Sequence, residues 1–548
     1  VGSLTTVTNG TLNLNGATAS VTTLNGGMVN LGTTVLTVSA GTTSGAITGT
    51  AGSLTKSSAG TLTLSGANTY GGVTTVAAGK LVVSSLGDGV AASSLGLAGL
   101  SPANLVLATG ATLGYAGAGE TSGRGFTMAS SATLDASGTG ALVLTSSAKV
   151  AFSNSAAARS LTLDGTSTAA NSFGAGLSVG GTLDSDKVAL LAKNGVGTWV
   201  IANGATLKST AELDINDGAL GLGAGVLPAG GSVVLANGTT LRLEAGNSDD
   251  LGARIHFANA ASATLSLASA ATFTGAMTTD GASGATVTKA GTGKLTLAAA
   301  NTSLGAFVVA QGTLNVTNAQ ALGSGPATVN GGLLAVNATI ANAVTVNGGG
   351  TVGGGGTVGS LSVGSNGKVS PGNSPGTFSV SGSVVLSGGS VFEWQVQDAN
   401  DPAKYDHLNI AGTLDLSGAS PSNRITFKVV SLLGGGDGST LGNPDNFASA
   451  FSSAPTPQLI KTFNLGTVGN LNLGTNASIS DVFLFDVSQF TYTDGSSSNA
   501  GLWSINWDSG AGLITVTAVP EPSTYGFGLG ALALAAAAIR RRKRQAKA

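Results

Sequence analysis

The acidic run QDANDPAKYDHLNI is the stretch of this sequence whose side chains are best suited to chemistry. It contains Asp398, Asp401, Asp406 and His407. Paired carboxylates can act as acid and base on a glycosidic bond when separate elements hold them at fixed distances, but these share one loop with a proline. Their oxygens could also bind a hard cation, although the loop lacks EF-hand spacing. We interpret the run as a solvated surface loop.

Two glycine motifs match known catalytic or binding patterns. Gly372–Gly376 reads GNSPG and fits the nucleophile elbow, with Ser374 as nucleophile. The elbow needs a helix after the serine, whereas a proline and the strand-like TFSVSG follow here. Gly354, Gly356 and Gly359 fit G-x-G-x-x-G, but SLSVGSNG does not form the helix on which pyrophosphate binding depends. We interpret both motifs as turns.

Histidine and cysteine usage argues against metal sites and His-based catalysis. The 548 residues include 2 histidines and no cysteine, and His256 in ARIHF has no evident partner. GGGDG at Gly434–Gly438 is a single near match to a calcium-binding repeat. We therefore predict no cofactor, no metal, no catalytic residue and no enzymatic activity. We attribute to chance the N-x-S/T sequons at Asn9, Asn237, Asn301, Asn315, Asn337 and Asn476.

The composition predicts a packed but small-grained core. Hydrophobic residues make up 42% of the chain, charged residues 9% and aromatic residues 5%, and 87 residues are glycine. Disorder normally requires low hydrophobicity and high charge, which this chain lacks. The net charge of -2 gives no electrostatic footprint for nucleic acid, so we predict no such partner.

The local pattern predicts strands throughout. Runs such as Thr61–Leu64 alternate polar and apolar residues between glycine or asparagine, which indicates a strand with one buried face. TVNGG occurs at Thr328–Gly332 and at Thr345–Gly349, 17 residues apart. The same offset joins four valines, namely Val329, Val346, Val363 and Val380. Constant spacing predicts a coil that returns to the same wall, an all-β, right-handed parallel β-helix.

The sequence also contains a longer repeat in addition to the 17-residue one. LTKSSAGTLTLSGANTY begins at Leu54 and VTKAGTGKLTLAAANTS at Val287, and both place a glycine four residues after a lysine. A partial copy, KNGVGTW, begins at Lys193. These segments resemble the autotransporter-associated β-strand repeat of bacterial surface proteins. The resemblance covers much of residues 1–420 and implies a solenoid, but it indicates no ligand.

From about Pro421 the strands become longer and more aromatic, as in DVFLFDVSQF and LWSINWD. A bare last rung would expose an unpaired sheet edge. We therefore predict a small C-terminal β cap domain over residues 421–518, which closes the solenoid of residues 1–420.

The tail over residues 519–548 has a different composition. Tyr525–Ile539 is apolar and predicts a short C-terminal helix of about 22 Å, less than the bilayer core of about 30 Å. The residues that define this predicted transmembrane helix are Tyr525, Gly526, Phe527, Leu529, Leu532, Leu534 and Ile539. The basic stop that would stay on the cytoplasmic side comprises Arg540, Arg541, Arg542, Lys543 and Arg544.

The order Val-Pro-Glu-Pro-Ser-Thr, short apolar span and basic finish resembles the PEP-CTERM sorting signal of Gram-negative bacteria. The resemblance implies that an exosortase processes the chain near Pro520, Glu521 and Pro522 after transient anchoring in the inner membrane. The extra Gln545–Ala548 departs slightly from the pattern.

We therefore expect an exported structural or adhesive protein at the cell surface or in the extracellular matrix, with extracellular polysaccharide as a partner. One alternative is a β-helix polysaccharide lyase or hydrolase, which needs charged side chains on one wall across consecutive rungs; we read no such array in the repeats. The other is a fragment of an autotransporter passenger. A transmembrane barrel should follow it, and we expect none because the chain finishes in the basic tail. Since residue 1 is valine, we also expect a longer reading frame upstream.

Overall fold

The structure is a computed structural model that describes most of residues 2–518. It leaves out residues 15, 146–149, 154–158, 175–187, 206, 281–283, 437, 448–460, 493–499 and 501–502, and everything from 519 onward. The predicted C-terminal helix and its basic stop therefore lie outside the described residues. Among the residues described, no helix is long and apolar enough to cross a membrane.

The described chain is an all-β solenoid of about 17 turns, and its helices are single 3₁₀ turns. The chain divides into two compact units, residues 1–306 and 307–548. The 3₁₀ turns are Pro102–Asn104, Gly252–Arg254, Ala258–Ala260, Pro402–Lys404 and Ile479–Asp481.

The first unit is built from parallel strands that stack rung upon rung. The rungs start in the 17-residue register, since Gly2 pairs with Ala19 and Ala19 with Leu36. Its strands are β1 (Gly2–Thr8), β2 (Thr11–Asn13), β3 (Ala19–Asn25), β4 (Met28–Asn30), β5 (Val35–Thr43), β6 (Ile47–Thr48), β7 (Ser53–Lys56), β8 (Thr61–Leu64), β9 (Thr74–Val76), β10 (Lys80–Val83), β11 (Leu105–Leu107), β12 (Ala111–Tyr115), β13 (Glu120–Ser122), β14 (Phe126–Met128), β15 (Ser131–Ala136), β16 (Leu142–Leu144), β17 (Val150–Phe152), β18 (Ser160–Asp164), β19 (Asn171–Phe173), β20 (Leu190–Lys193), β21 (Thr198–Ile201), β22 (Glu212–Ile215), β23 (Ala219–Leu222), β24 (Ser232–Leu235), β25 (Thr240–Leu243), β26 (Ile255–Phe257), β27 (Ser262–Leu267), β28 (Ala271–Phe273), β29 (Thr278–Thr279), β30 (Thr286–Ala290) and β31 (Lys294–Leu297). One sheet of this unit contains 18 strands, because β5 pairs with both β7 and β8.

The second unit has the same design. Its strands are β32 (Ala306–Val309), β33 (Thr313–Val316), β34 (Ala327–Val329), β35 (Gly332–Val336), β36 (Ala343–Val346), β37 (Gly350–Gly354), β38 (Thr357–Val358), β39 (Ser360–Val363), β40 (Lys368–Pro371), β41 (Thr377–Val380), β42 (Val384–Leu386), β43 (Val391–Val396), β44 (His407–Asp415), β45 (Ile425–Ser431), β46 (Lys461–Asn472), β47 (Phe483–Gln489), β48 (Trp503–Asp508) and β49 (Leu513–Ala518). They form parallel ladders such as β36–β39–β42, β37–β40–β43 and β38–β41–β44.

Period-two alternation produces the core, as the sequence predicts. In β8, Leu62 and Leu64 are fully buried while Thr61 is exposed. Leu62 pairs with Leu81, and Leu81 pairs with Leu113, so inward side chains of successive rungs stack directly on one another. Each buried leucine contributes about 2 kcal/mol relative to an exposed one, and a ladder of them holds the rungs together.

The valine repeat is confirmed for three members and wrong for the fourth. Val329 pairs with Val346, and Val346 pairs with Val363. The next rung, however, places Leu386 on Val363, whereas Val380 pairs with Val358. The reason is that the turn between β40 and β41 lengthens this rung, so a residue 17 positions further on no longer reaches the same place in the ladder.

Beyond residue 420 the strands extend the ladders and then change direction. Phe392 on β43 pairs with Phe427 on β45, and Phe427 pairs with Phe485 on β47, all in parallel. β46 pairs in parallel with β44 but antiparallel with β49, and β49 is antiparallel to β48. Aromatic rings fill this end of the unit; Trp503, for example, packs against Trp394 at a centroid distance of 6.3 Å. A separate cap domain that begins at residue 421 stays a prediction.

Candidate functional site

The acidic loop does not assemble a carboxylate pair for acid–base chemistry. Asp406 is fully buried, and its two carboxylate oxygens accept hydrogen bonds from the backbone N–H of Gly376 at 2.9 Å and of Gln395 at 2.8 Å. Burial raises the pKa of Asp406 well above its usual value, although both N–H donors act in the opposite direction. The side chain therefore joins a turn to β43 and does not face a substrate.

The other members of the loop also have local structural roles. Asp401 accepts a hydrogen bond from the Ala403 N–H and caps the short 3₁₀ turn. Asp398 accepts hydrogen bonds from the Asn400 N–H and from the Asn446 side chain, each at 2.8 Å. The Nε2 of His407 lies 2.8 Å from the carbonyl oxygen of Pro402. Across the described ranges, no group of three or more acidic or histidine side chains is arranged to hold a metal ion.

We expect replacement of Asp406 by alanine to lower the free energy of unfolding by about 2 kcal/mol, because two buried N–H donors lose their acceptor. Hydrogen–deuterium exchange at the Gly376 and Gln395 amides, together with thermal denaturation, measures the effect. The matched control is Asp401→Ala, whose exposed cap is worth about 1 kcal/mol or less. Equal losses of unfolding free energy in the two variants would contradict the role of Asp406 in joining the turn to β43.

The glycine motifs lie at turns of the solenoid. Ser374 has a positive φ of 70° between β40 and β41, and a strand, not a helix, follows it. Gly354 has φ +107°, and a Cβ there would lie 2.2 Å from the Val336 carbonyl oxygen of the neighbouring rung. A nucleophile elbow and a pyrophosphate site both require a helix N-terminus that this part of the chain does not provide.

His256 has partners, contrary to the sequence expectation. Its Nδ1 lies 3.0 Å from Thr278 Oγ1, and its Nε2 lies 3.0 Å from a carboxylate oxygen of Asp280. Thr278 sits beside His256 on the next rung, which the sequence could not show without the register. Because the Asp280 side chain is 62% exposed, water screens this pair, and we interpret it as a surface contact.

Two of the sequon asparagines form a ladder. Asn337 donates a hydrogen bond of 2.8 Å to the side-chain oxygen of Asn315, and Asn373 donates one of 2.7 Å to that of Asn337. The Gly355 N–H donates to the same Asn337 oxygen at 3.1 Å. These contacts fix the orientation of the Asn337 side-chain amide, since its oxygen must face the two donors and its nitrogen the Asn315 oxygen.

Three lysines point into the first unit, where most ladder positions are apolar. Lys56, Lys193 and Lys289 are fully buried. Lys56 stands between Val38 and Val76 in its ladder. Its ammonium donates to the Ser58 carbonyl oxygen and, at 3.1 Å, to that of Ala78 on the next rung. Lys289 donates to the carbonyl oxygens of Ala290 and Gly291 at 2.7 and 2.9 Å.

Lys193 shows the same arrangement most completely. It occupies an inner position between Leu163 and Ile215. Its Nζ donates to the carbonyl oxygens of Asn194 at 2.7 Å, Gly195 at 2.6 Å and Asp217 at 3.1 Å. Burial lowers the pKa of Lys193 to about 8, against the opposing effects of Asp217 and Asp164. Lys193, like Lys56, therefore connects the corners of two successive rungs, a role that the sequence did not indicate.

A carboxylate pair also lies on one strand of the first unit. Glu212 and Asp214 face outward two residues apart on β22. Burial and the neighbouring Glu212 raise the pKa of Asp214 to about 6. Its rung neighbours are Ala192 and Val234, which provide no charged partner. The pair lies on a single rung and does not form the multi-rung array that the polysaccharide-degrading alternative requires.

We expect Asp214→Asn to stabilise the protein at pH 7 by less than about 1 kcal/mol, since the half-exposed carboxyl is partly screened. The folded-state pKa is raised from 3.8 to about 6, so the stability contributed by Asp214 is fully present below pH 3.8 and is lost as the pH rises through 6. The gain should therefore be absent at pH 3.5 and complete above pH 7 in denaturation curves. In a Glu212→Gln background, the pH at which half of the gain from Asp214→Asn appears should be lower, because Glu212 helps to raise the pKa of Asp214. A gain that does not depend on pH would contradict this account.

The sequence reading missed one charged array that does cross consecutive rungs. On the outer face of the second unit, Glu393 pairs with Lys368 at 3.2 Å and with Lys428 at 3.1 Å, and it accepts a hydrogen bond from Ser370. Burial alone would raise the pKa of Glu393, but the two lysines outweigh it and hold the pKa below its usual value. In register, Lys428 is followed on the last rung by Asp486.

A trough of about 300 Å³ adjoins this array on the same face. It crosses β35, β37, β40 and β43, and we refer to it as the β35–β43 trough. The residues that line it include Leu333, Ala335, Thr351, Asn373, Glu393 and Gln395. The sequence gives little indication of the trough and its charged residues, because the rung length changes after Pro371 and the charged residues no longer recur at a constant spacing. A glutamate alternating with apolar residues in VFEWQV was the one hint.

Comparisons with known proteins agree with the geometry. The passenger-associated-transport-repeat profile matches residues 54–83 and 287–316, and the PEP-CTERM protein-sorting motif matches residues 518–543. The chain carries autotransporter-type repeats and a PEP-CTERM sorting motif. Over 146 residues, 26% of the chain, it is 37% identical to the adhesin BmaC autotransporter of Brucella suis biovar 1 (strain 1330), of which it spans 4%.

The two matched repeats contain Lys56 and Lys289, so these two buried lysines belong to the repeat itself, whereas Lys193 lies outside the matched ranges. The sorting motif begins at Ala518, the last residue of β49, where Ala518 pairs with Lys461 and Trp503. Pro520, Glu521 and Pro522 fall within the matched range but outside the described residues.

Proposed function

We propose that this chain is an exported structural or adhesive protein of a Gram-negative bacterium, which an exosortase processes near Pro520–Pro522. The observation that carries the proposal is the order of its parts, in which solenoid repeats of the passenger type lead into a PEP-CTERM motif. Residues 525–539 hold the chain transiently in the inner membrane, and residues 540–544 keep its end in the cytoplasm. The protein then reaches the cell surface or the extracellular matrix.

Its molecular role is contact with other surfaces, without catalysis. The similarity to an adhesin supports this role, as does the local structural use of Asp398, Asp401 and Asp406. Outward hydroxyl and amide groups on successive rungs provide weak, repeated contacts with extracellular polysaccharide, which multivalency strengthens. We also propose a right-handed coil, the hand that crossover connections between parallel strands almost always take.

The test expresses the full chain in a host that carries an exosortase and in the same host without it. Antibody labelling of intact cells and retention on polysaccharide-coated surfaces should both depend on the exosortase. Neutral and acidic polysaccharides should stay intact in the presence of the purified chain. Depolymerisation that is lost in Asp401→Ala or Asp406→Ala would instead favour a β-helix lyase or hydrolase.

A further inference from the structure

We propose that the β35–β43 trough binds a segment of a neutral, hydroxyl-rich saccharide. This inference rests on the proposed function as an exported surface protein, and it specifies where such a protein contacts glycan. The trough is distinct from the acidic loop and lies on a wall where rungs repeat every 4.8 Å or so. A linear chain can therefore contact several rungs in succession.

One side of the trough is aliphatic and the other is polar, and a sugar ring likewise has an apolar C–H face and a polar hydroxyl edge. Leu333 and Ala335 provide aliphatic surface, which suits the C–H face of a ring. Asn373, Glu393 and Gln395 provide amide and carboxylate groups, which suit its hydroxyl edge. Small-molecule sites generally combine apolar lining with a few polar groups that fix orientation.

The polar side offers side-chain acceptors to a ligand hydroxyl. Because the Nδ2 of Asn373 donates to Asn337, the Asn373 side-chain oxygen is left as an acceptor. The side-chain oxygen of Gln395 is buried and has no hydrogen-bond partner among the described residues. A buried acceptor without a donor costs about 1–3 kcal/mol, so a rotation of the Gln395 side chain that brings this oxygen to a ligand hydroxyl is favoured.

Charge balance favours a neutral ligand. Lys368 and Lys428 compensate the carboxylate of Glu393, and Asp486 lies next to Lys428 in register. Two positive and two negative groups leave this face without a net charge. An anionic saccharide would gain little from lysines that are already paired, and it would face the carboxylate of Glu393.

The floor of the trough is backbone, which keeps it open. A Cβ on Gly353 would lie 2.2 Å from the Ser370 carbonyl oxygen, so a larger residue does not fit there. Ala335 pairs with Gly353 on the neighbouring rung and adds only a methyl group. Among the residues that the structure describes, no aromatic side chain lines the trough, and without stacking we expect a dissociation constant of about 1 mM.

The test titrates the purified full-length chain with cellotetraose, maltotetraose and tetragalacturonate by calorimetry. Thr351→Trp should fill the trough and weaken binding of the neutral tetrasaccharides about tenfold or more. The matched control is Thr345→Trp on β36, an exposed outward threonine on a different wall, which should bind as the wild type does. Asn373→Ala removes a side-chain acceptor, together with the hydrogen bond to Asn337, without adding bulk. It should also weaken binding, and it tests the trough if Thr351→Trp misfolds.

Absence of binding by both neutral tetrasaccharides, equal binding by Thr351→Trp and the wild type, or tighter binding of tetragalacturonate would each overturn the proposal. Surface display and C-terminal processing of the Thr351→Trp chain are measured in parallel. If they persist while no saccharide binds, the trough inference fails and the proposed function stands. If display itself does not depend on the exosortase, the proposed function fails.

Discussion

Replacement of Lys193 by methionine is expected to lower the free energy of unfolding by about 3 kcal/mol. Methionine keeps the length and volume of the side chain but leaves three carbonyl oxygens at the rung corners without their charged donor. Removing one partner of a buried charged interaction is costly for this reason, even where the intact arrangement adds little net stability. Denaturant unfolding and hydrogen exchange around residues 194–218 measure the loss.

The control is Lys294→Met, which changes an exposed lysine on β31 of the same unit and should alter stability by less than about 0.5 kcal/mol. The pH dependence provides a second readout. Because folding lowers the pKa of Lys193 from 10.5 to about 8, its linked stability is present above pH 10.5 and is lost as the pH falls through 8. Wild-type stability should therefore rise between pH 8 and 10.5, and this rise should be smaller in Lys193→Met, where Lys289, whose burial also lowers its pKa to about 8, still contributes its own share. Equal losses in the two variants would contradict the role of the buried lysine.

Replacement of Pro520, Glu521 and Pro522 together by alanine is expected to abolish processing and surface delivery. If the motif is the recognition element of an exosortase, the triple variant should stay in the inner membrane, held by the apolar segment and the basic residues behind it. Fractionation of cells, followed by immunoblotting, distinguishes the membrane-held chain from the delivered one.

The matched control replaces Gln545 and Lys547 by alanine, beyond the basic cluster, and should leave delivery unchanged. The folded solenoid should be the same in all variants, since the altered residues lie after β49. Normal delivery of the triple variant would show that another feature of the chain directs sorting.

The sequence predicted the architecture because β-solenoids repeat. Alternation in runs such as Thr61–Leu64 fixed which side chains are buried, and the TVNGG offset fixed the register of Val329, Val346 and Val363. The same reasoning failed at Val380, since a longer turn changes the rung length and no local pattern reports it. Periodicity therefore predicts a ladder only as far as the rung length stays constant.

Side-chain contacts between rungs could not be predicted from the sequence, because they depend on the length of each rung and therefore on the register. The partners of His256, the two lysines beside Glu393 and the Asp217 carbonyl beside Lys193 come from neighbouring rungs, so their proximity depends on register. The lysine of the repeat was visible as a recurrent residue, but its inward direction was not. A charged residue at an apolar position of an alternating strand is the signal to look for.

Sequencing the mature C-terminus of the protein recovered from an exosortase-bearing host tests the central claim most directly. Mass spectrometry of the surface-exposed chain should find a C-terminus within or close to Pro520–Pro522, with residues 525–548 absent. An intact tail that ends at Ala548 on protein from the cell surface would contradict sorting by an exosortase.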